Sequence, residues 1–516
     1  MVNIPEIKLK KTFIKSVIDI VGEKGLSTAD IDRFSYSRDA NFRSTLEAHY
    51  SSFGHFPSLI VWPTTPEQIS KLIILAGKDN VAVTPYGGGS GVSGGAISYE
   101  AGMIIDTKKM QRFLKFDPER LFVEVEAGIL GMELEKKLNR KGFTLGHFPS
   151  SILCACLGGF IASRSAGQYS SKYGKIEDMI IDLEFVDGNG VICQTADVSR
   201  QAGIDLTQMI VGTEGSFGII TKARLKISPL PQNRVFKSFI FNRFEYGIES
   251  IRRIMQTGLK PDALRLYDEL ETALVLSKIS RKALNEERLS HFMPGQVVKQ
   301  LKKIKSSALT IAFNSHKIVN KFFQISFQQC ALITVLEGHS KIIDQQAKII
   351  ASICNDLNAV DIGEDSAMHW FANRYSVSYA ASGLFRDGAF VDTFEAATTW
   401  DNIPGLYLGV KKSLKSYCFV LAHIAHAYEE GAAVYFTIVS PLTGLKSSLK
   451  KFDKIWKTAL DAVQQYGGVM NHHHGIGSIK RQSIMDEWGD AAFLYKNFKD
   501  YFDPHGIMNP RIHTVD

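Results

Sequence analysis

An α+β fold with more than one domain is predicted by three features of the sequence. The chain has 516 residues, and at roughly 100–200 residues per domain that length makes two to four domains. From Leu59 to about Pro231, short β-rich runs alternate with helical stretches. The composition, 45% hydrophobic and 22% charged, is that of a globular chain able to bury sizeable cores, neither disordered nor fibrous.

Taken in order, residues 1–54 read as a helical, charged, peripheral lead-in. Ser27, Thr28, Ala29 and Asp30 offer a helix cap there. The β-rich runs are LIVW from Leu59, VAVTPY from Val81, GMIIDT from Gly102, LFVEVEAG from Leu121, MIIDLEFVDG from Met179 and FGIITKARLKI from Phe217. Helices are expected over 66–76 and 131–141. Asp187, Gly188, Asn189 and Gly190, set between two apolar runs, signal a hairpin turn. The stretch 278–321 is strongly basic. Within it Val297, Val298, Leu301 and Ile304 share one helical face and lysines cover the rest. That pattern fits a helix lying on an anionic membrane surface, and equally a solvated surface helix. Mixed strands and helices follow from Ala331.

Composition excludes several classes. Lys plus Arg number 60 against 53 Asp plus Glu, a net charge of +7, which does not call for nucleic acid. The six cysteines are too few and too scattered for a disulfide framework or a four-ligand zinc site, so reduced thiols in a cytoplasmic setting are expected. No stretch approaches the apolar length of a membrane span, and the beginning of the chain lacks a signal peptide's apolar core.

Six glycines fall between Gly87 and Gly95. Gly89, Gly91 and Gly94 formally satisfy GxGxxG, but a Rossmann loop must open a helix. Here AISYEAGMIIDT follows, a polar turn and then a strand. The loop is therefore expected to join two strands and to cradle phosphate with bare backbone N–H groups. Near the other end, His472, His473 and His474 precede a Gly-Ile-Gly bend. Three imidazoles on an exposed turn suit proton transfer, and with His423 and His426 they could equally ligate a metal. Arg265 sits in an apolar run where an unpaired guanidinium is costly, so it should face an anion.

PYGGGSGVSGG, VEVEAG, GHFPSSILCACLGGFIASRSAGQYSSKYGKIEDMI, VGTEGSFGIIT and FDPHGIMNP occur in the order found in the vanillyl-alcohol-oxidase (PCMH-type) FAD-binding superfamily. Within it, GHFPSS and the triple His make the chain most similar to the alkyldihydroxyacetonephosphate (alkylglycerone-phosphate) synthase family. The resemblance implies a PCMH-type FAD-binding domain over 55–231, an α/β cap domain with an antiparallel sheet over 232–470, and a His loop with a returning segment over 471–516. It implies FAD held by Pro85, Tyr86, Gly87, Gly88, Gly89, Ser90, Gly91, Ser93 and Gly94. The same role falls to Pro149, Ser150, Ser151, Gly158, Gly159, Ser163, Ser165, Gly167, Tyr173, Glu214, Gly215, Ile219 and Ile220. No histidine lies in the glycine loop where some relatives link the flavin covalently, so non-covalent FAD is expected.

The implied reaction exchanges the acyl group of acyl-dihydroxyacetone phosphate for a long-chain fatty alcohol, with no net redox change. Tyr435 would move the C1 proton, His472, His473 and His474 would handle the alcohol, and Arg265 and Arg386 would hold the phosphate. Asp387 beside Arg386 also offers a plain salt bridge, and Glu395 reads as a surface or structural charge. A homodimer and peripheral membrane contact on the inner face of a membrane are compatible assemblies. The alternative is an FAD-linked dehydrogenase or oxidase of a 2-hydroxy acid. The hydroxy-acid motif HxGDGN of that class is replaced here by His426, Ala427, Tyr428, Glu429, Glu430 and Gly431.

Overall fold

The computed structural model describes residues 4–195, 204–278, 328–376, 381–386 and 388–512. They form two compact units. One comprises Met1–Ser165, Lys175–Leu230 and His473–Asp516, the other Ala166–Gly174 and Pro231–His472. Both combine helices with sheets, as the α+β expectation requires.

The strands of the first unit are β1 (Leu26–Ser27), β2 (Leu59–Val61), β3 (Val83–Tyr86), β4 (Met103–Asp106), β5 (Phe113–Asp117), β6 (Phe122–Glu126), β7 (Phe143–Thr144), β8 (Ile180–Asp187), β9 (Ile192–Gln194), β10 (Gly218–Lys226) and β11 (Ser228–Pro229). One sheet has the order β1-β2-β4-β3, with β2 and β3 both parallel to β4. A second, antiparallel, runs β5-β6-β10-β8-β9, and β7 pairs with β11. The expected turn at Asp187–Gly190 does join an antiparallel pair, β8 and β9. The helix Pro66–Asp79 starts where Thr65 caps Gln68 N–H with proline at its first turn, and it ends at left-handed Asn80. Its Ile69, Leu72, Ile73 and Ala76, three or four apart, face the core.

The N-terminal residues are not a peripheral lead-in. Phe13 and Val17 of the helix Lys11–Val21 are buried in the same core as Leu59, Ile69 and Met103. Buried Arg33 donates to the carbonyls of Pro57 (2.9 Å) and Pro5 (2.6 Å). Nor is there a side-chain cap on the helix Asp30–Ser35: Ser27 lies in β1, and its hydroxyl accepts from Ala29 N–H instead.

In the second unit β12 (Asn233–Phe241), β13 (Ala263–Tyr267), β14 (Cys330–Gly338), β15 (Val360–Gly363), β16 (Ala389–Thr399), β17 (Phe419–Ala427) and β18 (Gly431–Pro441) form one antiparallel sheet of order β15-β12-β14-β13-β17-β18-β16. Amphipathic helices such as Phe244–Gln256 and Leu445–Gln465 bury Ile248, Ile251 and Met255, and Phe452, Ile455, Trp456 and Ala459, at helical spacing. The basic stretch after Lys278, including Val297, Val298, Leu301 and Ile304, lies outside the described residues. Among the described residues no helix is long and apolar enough to cross a membrane.

Candidate active site

In the first unit the glycine run occupies the connection between β3 and β4, so it joins two strands as expected. Its path requires glycine. A Cβ on Gly88 would lie 1.9 Å from the carbonyl oxygen of Cys154, and Gly94 has φ +80°. The connection is strapped down by the segments meant to close it. Ser93 Oγ donates to the carbonyl of Gly475 (3.0 Å), and Glu214 Oε2 accepts from the N–H groups of Ile476 and Gly477 (both 2.9 Å). Asn509 donates to the carbonyls of Gly95 (2.9 Å) and Glu214 (2.7 Å). The C-terminal segment also pairs with β3, Val83 N–H donating to Ile507 and Asn509 N–H to Val83.

Several residues expected to touch the cofactor spend their polar groups on this bracing. Ser93 and Glu214 do so as above, Ser163 Oγ donates to Gly159 within its own helix (2.9 Å), and Ser165 pairs with buried His147 (3.2 Å). Ile219 packs in the hydrophobic core, and Ile220 is buried beside it on β10. Gly215 abuts Pro85. The carbonyls of Pro149 and Ser151 close the turns leading to the helix Leu157–Ala162. Gly167 and Tyr173 belong to the second unit.

What remains open fits a dinucleotide. A Cβ on Gly159 would meet nothing within 4 Å, and one on Gly91 only Asp39 Oδ2 at 3.8 Å. Bare backbone is therefore presented where a phosphate or flat ring can approach. Two buried polar atoms beside these residues, Asp39 Oδ2 and His147 Nδ1, have no hydrogen-bond partner, as groups awaiting a ligand would. Burial pushes the Asp39 carboxyl up to about 7 and the His147 imidazole down to about 3. Lys108, which donates to Gly87 O (2.8 Å), adds a cation at the base of the loop. Neither Asp39 nor Lys108 carried a sequence signal.

The second unit gathers charged side chains on its sheet. Strand register puts Tyr267 opposite His423, His423 opposite Tyr435, and Tyr435 opposite Glu395, a row crossing four strands. Directly opposed residues share a face, and the His423 and Tyr435 rings stack at 4.7 Å. Arg265 does meet an anion, Glu271, whose Oε1 lies 3.9 Å from its Nη2, and a histidine bridges the two. Its Nη2 donates to His423 Nε2 (2.7 Å), whose Nδ1 reaches Glu271 Oε2 (2.9 Å). An acceptor Nε2 requires the proton on Nδ1, so His423 is a neutral spacer, consistent with burial and then Arg265 lowering its pKa. Arg265 Nε is buried without a hydrogen-bond partner.

For Tyr435 burial outweighs the pull of Arg265 and pushes the phenol up to about 12, so it rests protonated. Arg386 is exposed at the end of the helix Ala381–Arg386, and Asp387 lies outside the described residues. The His loop is half-buried rather than exposed. His472 N–H is held by Glu395 Oε1 (3.0 Å), and Glu395 itself is only 1% exposed, so of the two readings it is the structural charge. His472 closes the second unit, while His473 and His474 open the last segment of the first. His426, a candidate metal ligand by sequence, instead meets Ser170 Oγ at 2.7 Å.

Residues 57–196 match the FAD binding domain family, and residues 230–512 match the C-terminal domain of FAD linked oxidases. The chain is 30% identical to alkyldihydroxyacetonephosphate synthase of Caenorhabditis elegans over 88% of its own length and 75% of that protein's. Its identity to the Dictyostelium discoideum synthase is 29%, over 93% and 77%. A solved structure of alkyldihydroxyacetonephosphate synthase superposes with a TM-score of 0.77 at 26% identity, covering 99% of this chain and 86% of that one.

Proposed function

The chain belongs to the alkyldihydroxyacetonephosphate synthase family of FAD-linked flavoenzymes, and from that premise we propose that it makes the ether bond of alkyl-dihydroxyacetone phosphate, exchanging the acyl group of acyl-dihydroxyacetone phosphate for a long-chain alcohol. The observation that carries this reading is the Arg265, His423 and Tyr435 assembly. A guanidinium with an unspent buried N–H suits a phosphate oxygen, and it stands on the same sheet as a phenol able to move a proton.

FAD, held by the glycine loop and the Gly158 and Gly159 backbone, supplies an electron-accepting ring that allows exchange without net oxidation. Arg265, kept oriented by the Glu271–His423 pair, binds the phosphate, with Arg386 as a second anchor. Tyr435, pushed up to about 12 by burial and so protonated at rest, is the phenol assigned to exchange a proton with C1. The imidazoles of His472, His473 and His474 take the alcohol's proton.

Flavin-loaded protein incubated with acyl-dihydroxyacetone phosphate and hexadecanol is expected to release fatty acid and hexadecyl-dihydroxyacetone phosphate in equal amounts, seen by mass spectrometry. Absence of the ether product, together with anaerobic bleaching of the flavin by a 2-hydroxy acid, would replace this reading by a dehydrogenase.

A further inference from the structure

Beside the Arg265 assembly, the second unit holds a chain of hydrogen-bonding groups that the reaction above uses only at its His472 end. His472 Nε2 lies 3.0 Å from Tyr428 OH, Tyr428 OH donates to Ser170 Oγ at 3.4 Å, and Ser170 Oγ lies 2.7 Å from His426 Nδ1. The sequence scatters these groups. Ser170 opens the short helix Ser170–Tyr173, His426 is the last residue but one of β17, Tyr428 follows in the turn to β18, and His472 precedes the glycine bend. Ser170 is 2% exposed and His426 5%, so bulk water cannot stand in for either link.

A second feature shows that His426 is aimed. In a regular strand residues three apart face opposite ways, which would turn His426 away from His423. The pairing of β17 with β18 slips between Ile424 and His426, so that His423 opposes Tyr435 while His426 opposes Ala433. Tyr435 and Ala433 lie on one face of β18, so the bulge restores His426 to the face of His423. Bulges are used next to active sites to re-aim a side chain.

We infer that His472, Tyr428, Ser170 and His426 form a proton relay that carries the alcohol's proton from the His loop to His426. This rests on the proposed ether synthesis for the source of the proton. The alcohol O–H gives its proton to His472 Nδ1. The Nε2 proton of His472 passes to the Tyr428 oxygen, the Tyr428 proton to the Ser170 oxygen, and the Ser170 proton to His426 Nδ1. Each intermediate group gains one proton and loses one, and His426 ends as an imidazolium. The exchange needs such an outlet, because a fatty acid that leaves as its carboxylate strands the alcohol's proton in the protein. Tyr428, Ser170 and His426 are relay residues and touch no reacting atom.

The relay makes a demand that does not depend on turnover: resting His426 must be neutral with a bare, accepting Nδ1, and His472 must carry its proton on Nε2. Nitrogen-15 NMR of histidine-labelled flavoprotein, with signals assigned from His426→Gln and His472→Gln, reads both tautomers. The expected result is an accepting His426 Nδ1 whose resonance moves in Ser170→Ala, and a His472 Nε2 resonance that moves in Tyr428→Phe. A His426 protonated on Nδ1 overturns the relay, as does a His472 signal indifferent to Tyr428→Phe. In the ether-synthesis assay, Tyr428→Phe is expected to lower kcat by about tenfold or more with KM for the alcohol unchanged, and to reduce the solvent isotope effect. Wild-type kcat in that variant also overturns the relay. A wild-type protein that makes no ether rejects the proposed function alone, and the tautomers still decide the relay.

Discussion

At the candidate site the two units use polar side chains differently. In the first, side chains bond mainly to backbone: Ser93 to carbonyls of the His loop, Glu214 to its amides, Asn509 to carbonyls on two segments. In the second, side chains bond to each other, as in Arg265, His423 and Glu271, or Ser170 and His426. A cofactor bound through bare backbone needs its loops held still. A reaction that moves protons needs titratable groups in contact. The difference implies that damage should separate, with the first unit losing flavin and the second losing turnover while staying yellow.

The sharpest break of that separation is Arg265→Lys. A lysine keeps the charge but cannot reach His423 and still offer a second planar N–H to an anion. Turnover is expected to fall by about 10²–10³-fold, the scale for losing one oriented donor to developing or bound negative charge. Bound FAD, measured as the ratio of visible to ultraviolet absorbance, should be unchanged. Flavin loss from this variant would mean the two roles are not divided between the units.

The complementary change is Gly88→Ala. Its new Cβ would lie 1.9 Å from the Cys154 carbonyl oxygen, a backbone atom that cannot swing aside. The loop must shift at a cost of about 1–3 kcal/mol, which weakens FAD binding by roughly ten- to a hundredfold. Fluorescence titration of apoprotein with FAD measures it. The nitrogen-15 signals of His426 should stay where they are.

The same contrast explains what the sequence revealed. A loop whose backbone must be bare writes itself as a local run of glycine, so residues 87–95 and their strand-to-strand setting were legible without a structure. The Arg265 assembly was half legible: its burial demanded an anion, and Glu271 is near it in the chain and pairs with it at 3.9 Å, but His423, which bridges the two, lies 158 residues from Arg265. Ser170 and His426 are 256 residues apart, and a bulge that no residue type announces decides which way His426 points. Glu395 could be read only as a surface or a structural charge, because its alternation along β16 shows a face and not what covers that face. Ser93 and Glu214 were picked out as cofactor contacts from their place in the motifs, but their bonds to the Gly475 carbonyl and to the Ile476 and Gly477 amides join segments far apart in the chain and leave no mark in the local sequence.

Asp39 tests the first unit at finer scale. Its Oδ1 accepts from Asn41 N–H (2.9 Å), but Oδ2 is buried without a partner and the carboxyl is pushed up to about 7, chiefly by burial. An acid whose folded pKa exceeds its unfolded value, near 3.9, binds more protons folded than unfolded throughout the window between them. Its stabilising contribution is therefore whole below about pH 4 and is lost as pH rises through about 7. An asparagine side chain cannot ionise, so Asp39→Asn should match the wild-type apoprotein near pH 4 and exceed it by roughly 1–4 kcal/mol at pH 8. Denaturant unfolding of the two apoproteins at several pH values reads the gap directly. A gap that stays constant with pH would mean that the carboxylate ionises normally, and that the glycine loop of the first unit keeps no unsatisfied group in reserve for its cofactor.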